Sequence, residues 1–276
     1  MIFQAEDVIY NYSDDIIALD NINIQIEEGE KVAVLGANGS GKSTLLHLLN
    51  GLCFAGSGSV FAFGQQLSED IFRDPGFILE FRRKVGFVFQ NPDIQLFSAT
   101  VWDEIAFGPQ QLGLSQSDIE KRVEDVLDML GIEKLRGRHP YRLSGGEKKK
   151  VAIASVLSCN PSVLLFDEPT AALDPRTQAW VVDCIMELNS AGKTIVTATH
   201  DLSTVQEIAD RVYVLGEDHK IIAEGKTATI LEDEQVLIKG NLAHYHYHKH
   251  GSVIHTHEHR HYGSGHHDDH DHVHDR

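Results

Sequence analysis

No apolar run in these 276 residues approaches the roughly 20 needed to span a bilayer, so the sequence offers no membrane helix. Cysteine is scarce: Cys53, Cys159 and Cys184 are scattered without metal-ligand spacing and read as reduced thiols. Positive charge is short as well, with 24 Lys and Arg against 41 Asp and Glu and a net charge of −17. That balance argues against a nucleic-acid-binding face, which needs clustered Lys and Arg. The most basic run, Lys148-Lys149-Lys150, lies inside a helical stretch. No signal peptide opens the chain, since Met1-Ile-Phe-Gln-Ala-Glu-Asp turns acidic at once. The expectation is a soluble, intracellular protein with no nucleic-acid partner.

What is present centres on Lys31 to Asn50, KVAVLGANGSGKSTLLHLLN. Lys31–Gly36 is an apolar, β-branched run that reads as a buried strand, and the leucines after Ser43 have helical spacing. Between them lies the loop Gly36, Ala37, Asn38, Gly39, Ser40, Gly41, followed by Lys42, Ser43 and Thr44. Strand, glycine-rich loop, Lys-Ser, helix is the context of a phosphate-binding loop. Glycines let backbone N–H groups curl around an anion, and the helix adds roughly half a positive charge at its start. Lys42 is expected on the β- and γ-phosphates and Ser43 on Mg²⁺, so the chain binds a nucleoside triphosphate.

Upstream, Ile22–Ile26 alternates as a strand and the first 29 residues read as β structure. Further strands are expected at 60–63, 85–89, 163–166, 194–199 and 211–215, with helices near 101–107, 117–130 and 176–189. Residues 65–84 read as a polar insertion with a short helix. Strands alternating with helices predict an α/β fold with a largely parallel sheet. The helical stretch from about 98 to 157 predicts an inserted subdomain. At the end of strand 163–166, Asp167 and Glu168 should stand at the carboxyl edge of that sheet beside the phosphate loop. There Asp167 would hold the Mg²⁺ shell and Glu168 would polarise the attacking water.

One more stretch, Leu143-Ser144-Gly145-Gly146-Glu147 leading into a helix, joins GANGSGKST and LLFDEP in a fixed order. Together they resemble the ATP-binding subunits of ABC transporters over about residues 1–235. The resemblance implies the ABC ATPase fold, a P-loop core with an N-terminal antiparallel β subdomain and an inserted helical subdomain. It also implies ATP hydrolysis in a head-to-tail dimer. Ser144, Gly145 and Gly146 would then meet the γ-phosphate bound by the other subunit, and Asp174 would cross the interface. Tyr12 falls where an aromatic stacks on adenine, Gln90 where metal, attacking water and transporter contact meet, and His200 where the γ-phosphate and water are oriented. Glu147 stands where Gln is commoner, and Ala-Ala-Leu-Asp174 where Ala-Gly-Leu-Asp is frequent; neither change removes a catalytic group.

The segment Phe89–Phe97, then Thr100–Gly108, is similar to the energy-coupling-factor importers, and Gln95-Leu96-Phe97 to their cobalt and nickel ATPases. Such a subunit would work at the cytoplasmic face of a membrane with a second ATPase subunit, a transmembrane coupling protein and a substrate-specific membrane component. Phe97 and Trp102 are the expected docking residues. After residue 237 the composition changes, and thirteen of the 17 histidines crowd into 238–276. They include His244, His246, His248, His250, His255, His257, His259 and His261, with Asp268, Asp269 and Asp271 nearby. Imidazole is a good ligand for Ni²⁺, Co²⁺ and Zn²⁺, so this segment reads as a flexible metal-binding tail attached to an ATPase domain of residues 1–237. A vitamin importer with an incidental tail and a nucleotide-gated metal buffer are the rival readings.

Overall fold

The structure, a computed structural model, describes residues 1–13, 16–250 and 253–260, of which 244–250 and 253–260 are described by backbone pairing alone. The chain opens with the antiparallel hairpin β1 (Phe3–Ser13) and β2 (Ile16–Ile26), then enters β3 (Lys31–Gly36) and helix α1 (Lys42–Leu49). It returns to the first sheet as β4 (Ser57–Ala62) and β5 (Gln65–Gln66), giving the order β2-β1-β4-β5. In β2, Ile22, Ile24 and Ile26 alternate inward, as a half-buried strand must.

Helix α2 (Pro75–Lys84) leads into β6 (Val85–Val88). Then come the helical subdomain, β7 (Val163–Asp167), α6 (Pro175–Ser190), β8 (Thr194–Thr199), α7 (Leu202–Ile208), β9 (Arg211–Leu215) and β10 (Ile221–Lys226). These strands and β3 make a six-stranded sheet, β10-β9-β3-β8-β7-β6, parallel except for β10. Every residue of β7 and β8 is buried, which is why they read as unbroken apolar or β-branched runs. The register pairs Val88 with Phe166, Asp167 with Ala198, and Leu35 with Thr199. The carboxyl ends of β6, β7, β8 and β3 therefore align at one edge.

The inserted subdomain is α3 (Val101–Gln111), α4 (Gln116–Met129) and α5 (Gly145–Leu157). Thr100, Ser115 and Ser144 cap them, each side chain accepting the backbone N–H three residues on. The apolar stripe of α4 is buried: Ile119, Val123, Val126 and Leu127. No helix among the described residues is long and apolar enough to cross a membrane.

The short helix expected within 65–84 is α2, and Phe54, Phe72, Phe77 and Phe81 pack ring to ring around it at centroid distances of 5.2–5.8 Å. The folded unit runs past 237: after α8 (Thr227–Glu232) and α9 (Glu234–Lys239), Leu242 and Ala243 are buried with Leu237 and Val214. Beyond that, β11 (Ala243–His250) pairs antiparallel with β12 (Val253–Arg260), within the segment read above as a metal-binding tail. Alternation of histidine with Tyr245, Tyr247, Thr256 and Ile254 gives this segment the period and residue types of a strand. His261 and the acidic residues after it lie outside the described residues.

Candidate active site

β3 ends at Gly36, and the loop to Gly41 turns the chain straight into α1, which aims the first amides of that helix back across the sheet edge. Gly41 sits at φ +109, and a Cβ there would lie 2.3 Å from the Ala18 carbonyl oxygen, so no other residue fits the turn. Lys42 is almost fully buried, its Nζ donating to the Gly36 and Ala37 carbonyls at 2.9 and 3.0 Å and lying 3.3 Å from Glu168 Oε1. Ser43 Oγ donates to Asp167 Oδ1 at 2.9 Å, so the loop and the end of β7 already touch.

Glu168 follows β7 at φ +42, turned back over the edge, and its Oε1 lies 2.9 Å from His200 Nδ1 just after β8. Burial alone would raise the Glu168 carboxyl, but the His200 hydrogen bond and the nearby Lys42 ammonium outweigh it and hold it below its ordinary value. The same hydrogen bond raises His200. Asp167 is raised chiefly by burial, against the opposing Ser43 hydrogen bond. One carboxylate is thus kept ionised beside a lysine and an imidazole, and the other is short of compensating charge.

The cleft above these groups has a volume of about 390 Å³ and is lined by Tyr12, Asn38, Gly39, Gly41, Lys42, Ser43, Thr44, Gln90 and Glu168. Tyr12 is exposed, its hydroxyl 2.7 Å from Thr44 Oγ1, which stands the ring at the cleft mouth. Sequence reasoning missed four lining residues, Ile16, Ile17, Ala18 and His219. His219 sits in the β9–β10 turn with Nδ1 3.2 Å from the Ser40 carbonyl oxygen, and only the pairing of β9 beside β3 brings it there. Ser144, Gly145 and Gly146 do not line the cleft; they open α5, where Ser144 and Glu147 satisfy each other's backbone N–H. Asp174 caps α6 through Arg176 N–H and Thr177 N–H, both 3.1 Å.

A triphosphate and Mg²⁺ fit these residues. Ser40 Oγ is buried without a hydrogen-bond partner among the described residues, an orphan donor inside the loop. The Ser43–Asp167 oxygen pair is the hard donor set that Mg²⁺ takes, and when bound the ion would neutralise charge on the phosphates. Lys42 and the loop amides would hold the phosphates, and Glu168 is placed to accept a proton from water. This constellation defines a P-loop nucleoside triphosphatase.

Residues 19–171 match the ABC transporter family model. The nickel import ATP-binding protein NikO of Rhodobacter capsulatus is 46% identical over 87% of this chain and 95% of its own. An energy-coupling factor transporter ATP-binding protein of Methanococcus maripaludis is 43% identical over 87% and 85%. The structure of cbiO1 from Clostridium perfringens, part of an ABC transporter complex, superposes with a TM-score of 0.74 at 40% identity, covering 87% of this chain and 94% of that one. The chain belongs to the ABC transporter family, as an ATP-hydrolysing, ATP-binding subunit of the energy-coupling-factor type.

Proposed function

We propose that this subunit powers uptake of a transition metal ion, nickel or cobalt, by ATP-driven closure of a head-to-tail dimer at the cytoplasmic face of a membrane. The observation that carries the substrate is the histidine pattern after residue 243. The β11–β12 register sets His244 opposite His259, His246 opposite His257 and His248 opposite His255. Directly opposed residues in an antiparallel ladder lie about 5 Å apart, so the backbone register brings these histidine positions together in pairs, and histidine is a residue type suited to nickel and cobalt. The nickel importer among the relatives supports the same reading.

Docking on a membrane protein is supported by an uncovered apolar group below Gln90. Ile94 and Phe97 are 69% and 66% exposed, and the Phe97 ring meets the exposed Phe107 edge to face at 4.9 Å. Trp102 nearby is only partly buried, with its indole N–H unpartnered among the described residues. The signature residues Ser144–Gly146, standing away from this chain's own cleft, suit a partner's nucleotide, so the dimer is the reading that gives them work.

Calorimetric titration of Ni²⁺, Co²⁺ and Zn²⁺ into the full-length chain and into one ending at Ala243 tests the metal reading. Sites present in the first and missing in the second are expected. Negligible binding by both would remove the tail from the argument and leave a vitamin-type importer as the better substrate reading.

A further inference from the structure

Lys149 is a charged residue with 1% exposure in the fifth position of α5. Burial pushes its ammonium down to about 8, with Asp167 acting against that. A charge held in a core lowers stability unless its protons are all but matched, so its partners matter. They are the main-chain oxygens of Phe89 and Gln90, at 3.1 and 2.8 Å from Nζ.

Two further links join the same segment to the same helix. Gln95 Nε2 donates to the Ala152 carbonyl at 2.8 Å and to Ser155 Oγ at 3.2 Å, while Gln95 Oε1 accepts the Phe89 N–H at 3.1 Å. Lys148 Nζ reaches Asp93 Oδ1 at 2.6 Å, an exposed pair of small effect. Residues 89–95 are thus stitched to α5 over more than one turn, with the buried Lys149 at the end nearest Gln90. On the other side, Val88 ladders with Phe166, one residue before Asp167, and Gln90 lines the same cleft as Glu168.

We infer that Lys149 is a positioning residue for ATP hydrolysis: by holding the Phe89 and Gln90 carbonyls it fixes Gln90 to the helix that begins at Ser144. Its effect passes through Gln90 and never through the phosphates. Ser144 lies about 7.5 Å along the same helix axis, at 1.5 Å per residue. A nucleotide engaged at the Ser144 end and Gln90 at this chain's own site are therefore attached to one rigid element. Lysine suits the task because one ammonium can donate to two adjacent carbonyls at once. This inference rests on the dimer reading above only for the link to Ser144; the placement of Gln90 stands within one chain.

The test uses the full-length chain with Lys149→Met and Lys149→Arg, measuring MgATP turnover, ATP affinity and melting. Methionine keeps the buried stem volume and removes the donors. It is expected to lower kcat about tenfold or more while leaving the ATP Kd within about twofold and the Tm unreduced. Arginine, which can donate to both carbonyls, should recover at least half of that loss. Unchanged turnover in Lys149→Met overturns the inference. So does a parallel fall of kcat, affinity and Tm that arginine does not relieve, since that marks simple packing. Turnover by the wild type without cooperativity in ATP would count against the dimer reading and the Ser144 link, and the kcat comparison would still decide Lys149.

Discussion

Lys42, Glu168 and His200 form a compact charge group in which each side chain sets the state of the next. Lys42 and Glu168 are each 6% exposed and lie 3.3 Å apart, so the carboxylate stays ionised although burial opposes it. Replacing Glu168 by Gln keeps the shape and removes the proposed base, and turnover should fall by roughly 10²–10⁴ while ATP still binds. A mutant with wild-type turnover would take Glu168 out of the reaction. Lys42→Ala should instead show first in the ATP Kd, because the group proposed to hold the phosphates is lost. The pair also predicts a pH dependence in the nucleotide-free protein. His200 titrates above its usual value when folded, so its contribution to stability is complete below about 6.5 and disappears as pH rises through the folded value. Glu168 titrates below its usual value, so its contribution is present above about 4.5 and fades as pH falls. The denaturation gap between wild type and His200→Ala should therefore be wider at pH 6 than at pH 9. An equal gap at both would mean the imidazole is not charged against Glu168.

At the scale of elements, the parallel sheet converts sequence order into a site. Gly36, Gln90, Asp167 and His200 are far apart in the chain and become neighbours because β3, β6, β7 and β8 all end at one edge. That much was legible, since phosphate-loop glycines, a buried strand running into two carboxylates and an LSGGE helix start each carry a local pattern. The antiparallel β10 and the short helices α7, α8 and α9 were not, because segments of six or seven residues have too little periodicity to be told from loops. Ile16, Ile17 and His219 escaped for another reason: none carries a motif, the isoleucines being placed by the β1–β2 hairpin and His219 by the pairing of β9 beside β3. Glycine roles were legible as positions but not as causes. In the signature loop, a Cβ on Gly146 would lie 2.7 Å from Thr177 Oγ1 of α6. Gly146→Ala should therefore destabilise the fold by about 1–3 kcal/mol through overpacking. Adding Thr177→Ala should restore part of it, as a denaturant titration of the single and double mutants would show. No recovery would place the need for glycine in a contact other than Thr177.

For the whole molecule, composition and packing disagree about where the ATPase unit ends. Composition changes after Leu237, yet Leu242 is 1% exposed and Ala243 3%, both against the sheet through Val214 and Leu237. The histidine-rich run begins at His244, so the fold and the proposed metal chemistry share a boundary at Ala243. Three chains separate the two: full length, ending at Ala243, and ending at Gly240. Burying one leucine side chain stabilises by roughly 1.5–3 kcal/mol, and in a unit of this size each kcal/mol moves the Tm by about 2–4 °C. The chain ending at Gly240 should therefore melt several degrees below the chain ending at Ala243, with neither binding nickel. The chain ending at Ala243 should melt with the full-length protein in the absence of metal, and only the full-length protein should gain stability when Ni²⁺ is added, because a ligand stabilises only what binds it. If the Ala243 chain instead melted well below the full-length protein without metal, and Ni²⁺ added nothing to the full-length protein, the segment after 243 would be part of the core and not an attached metal-handling ribbon.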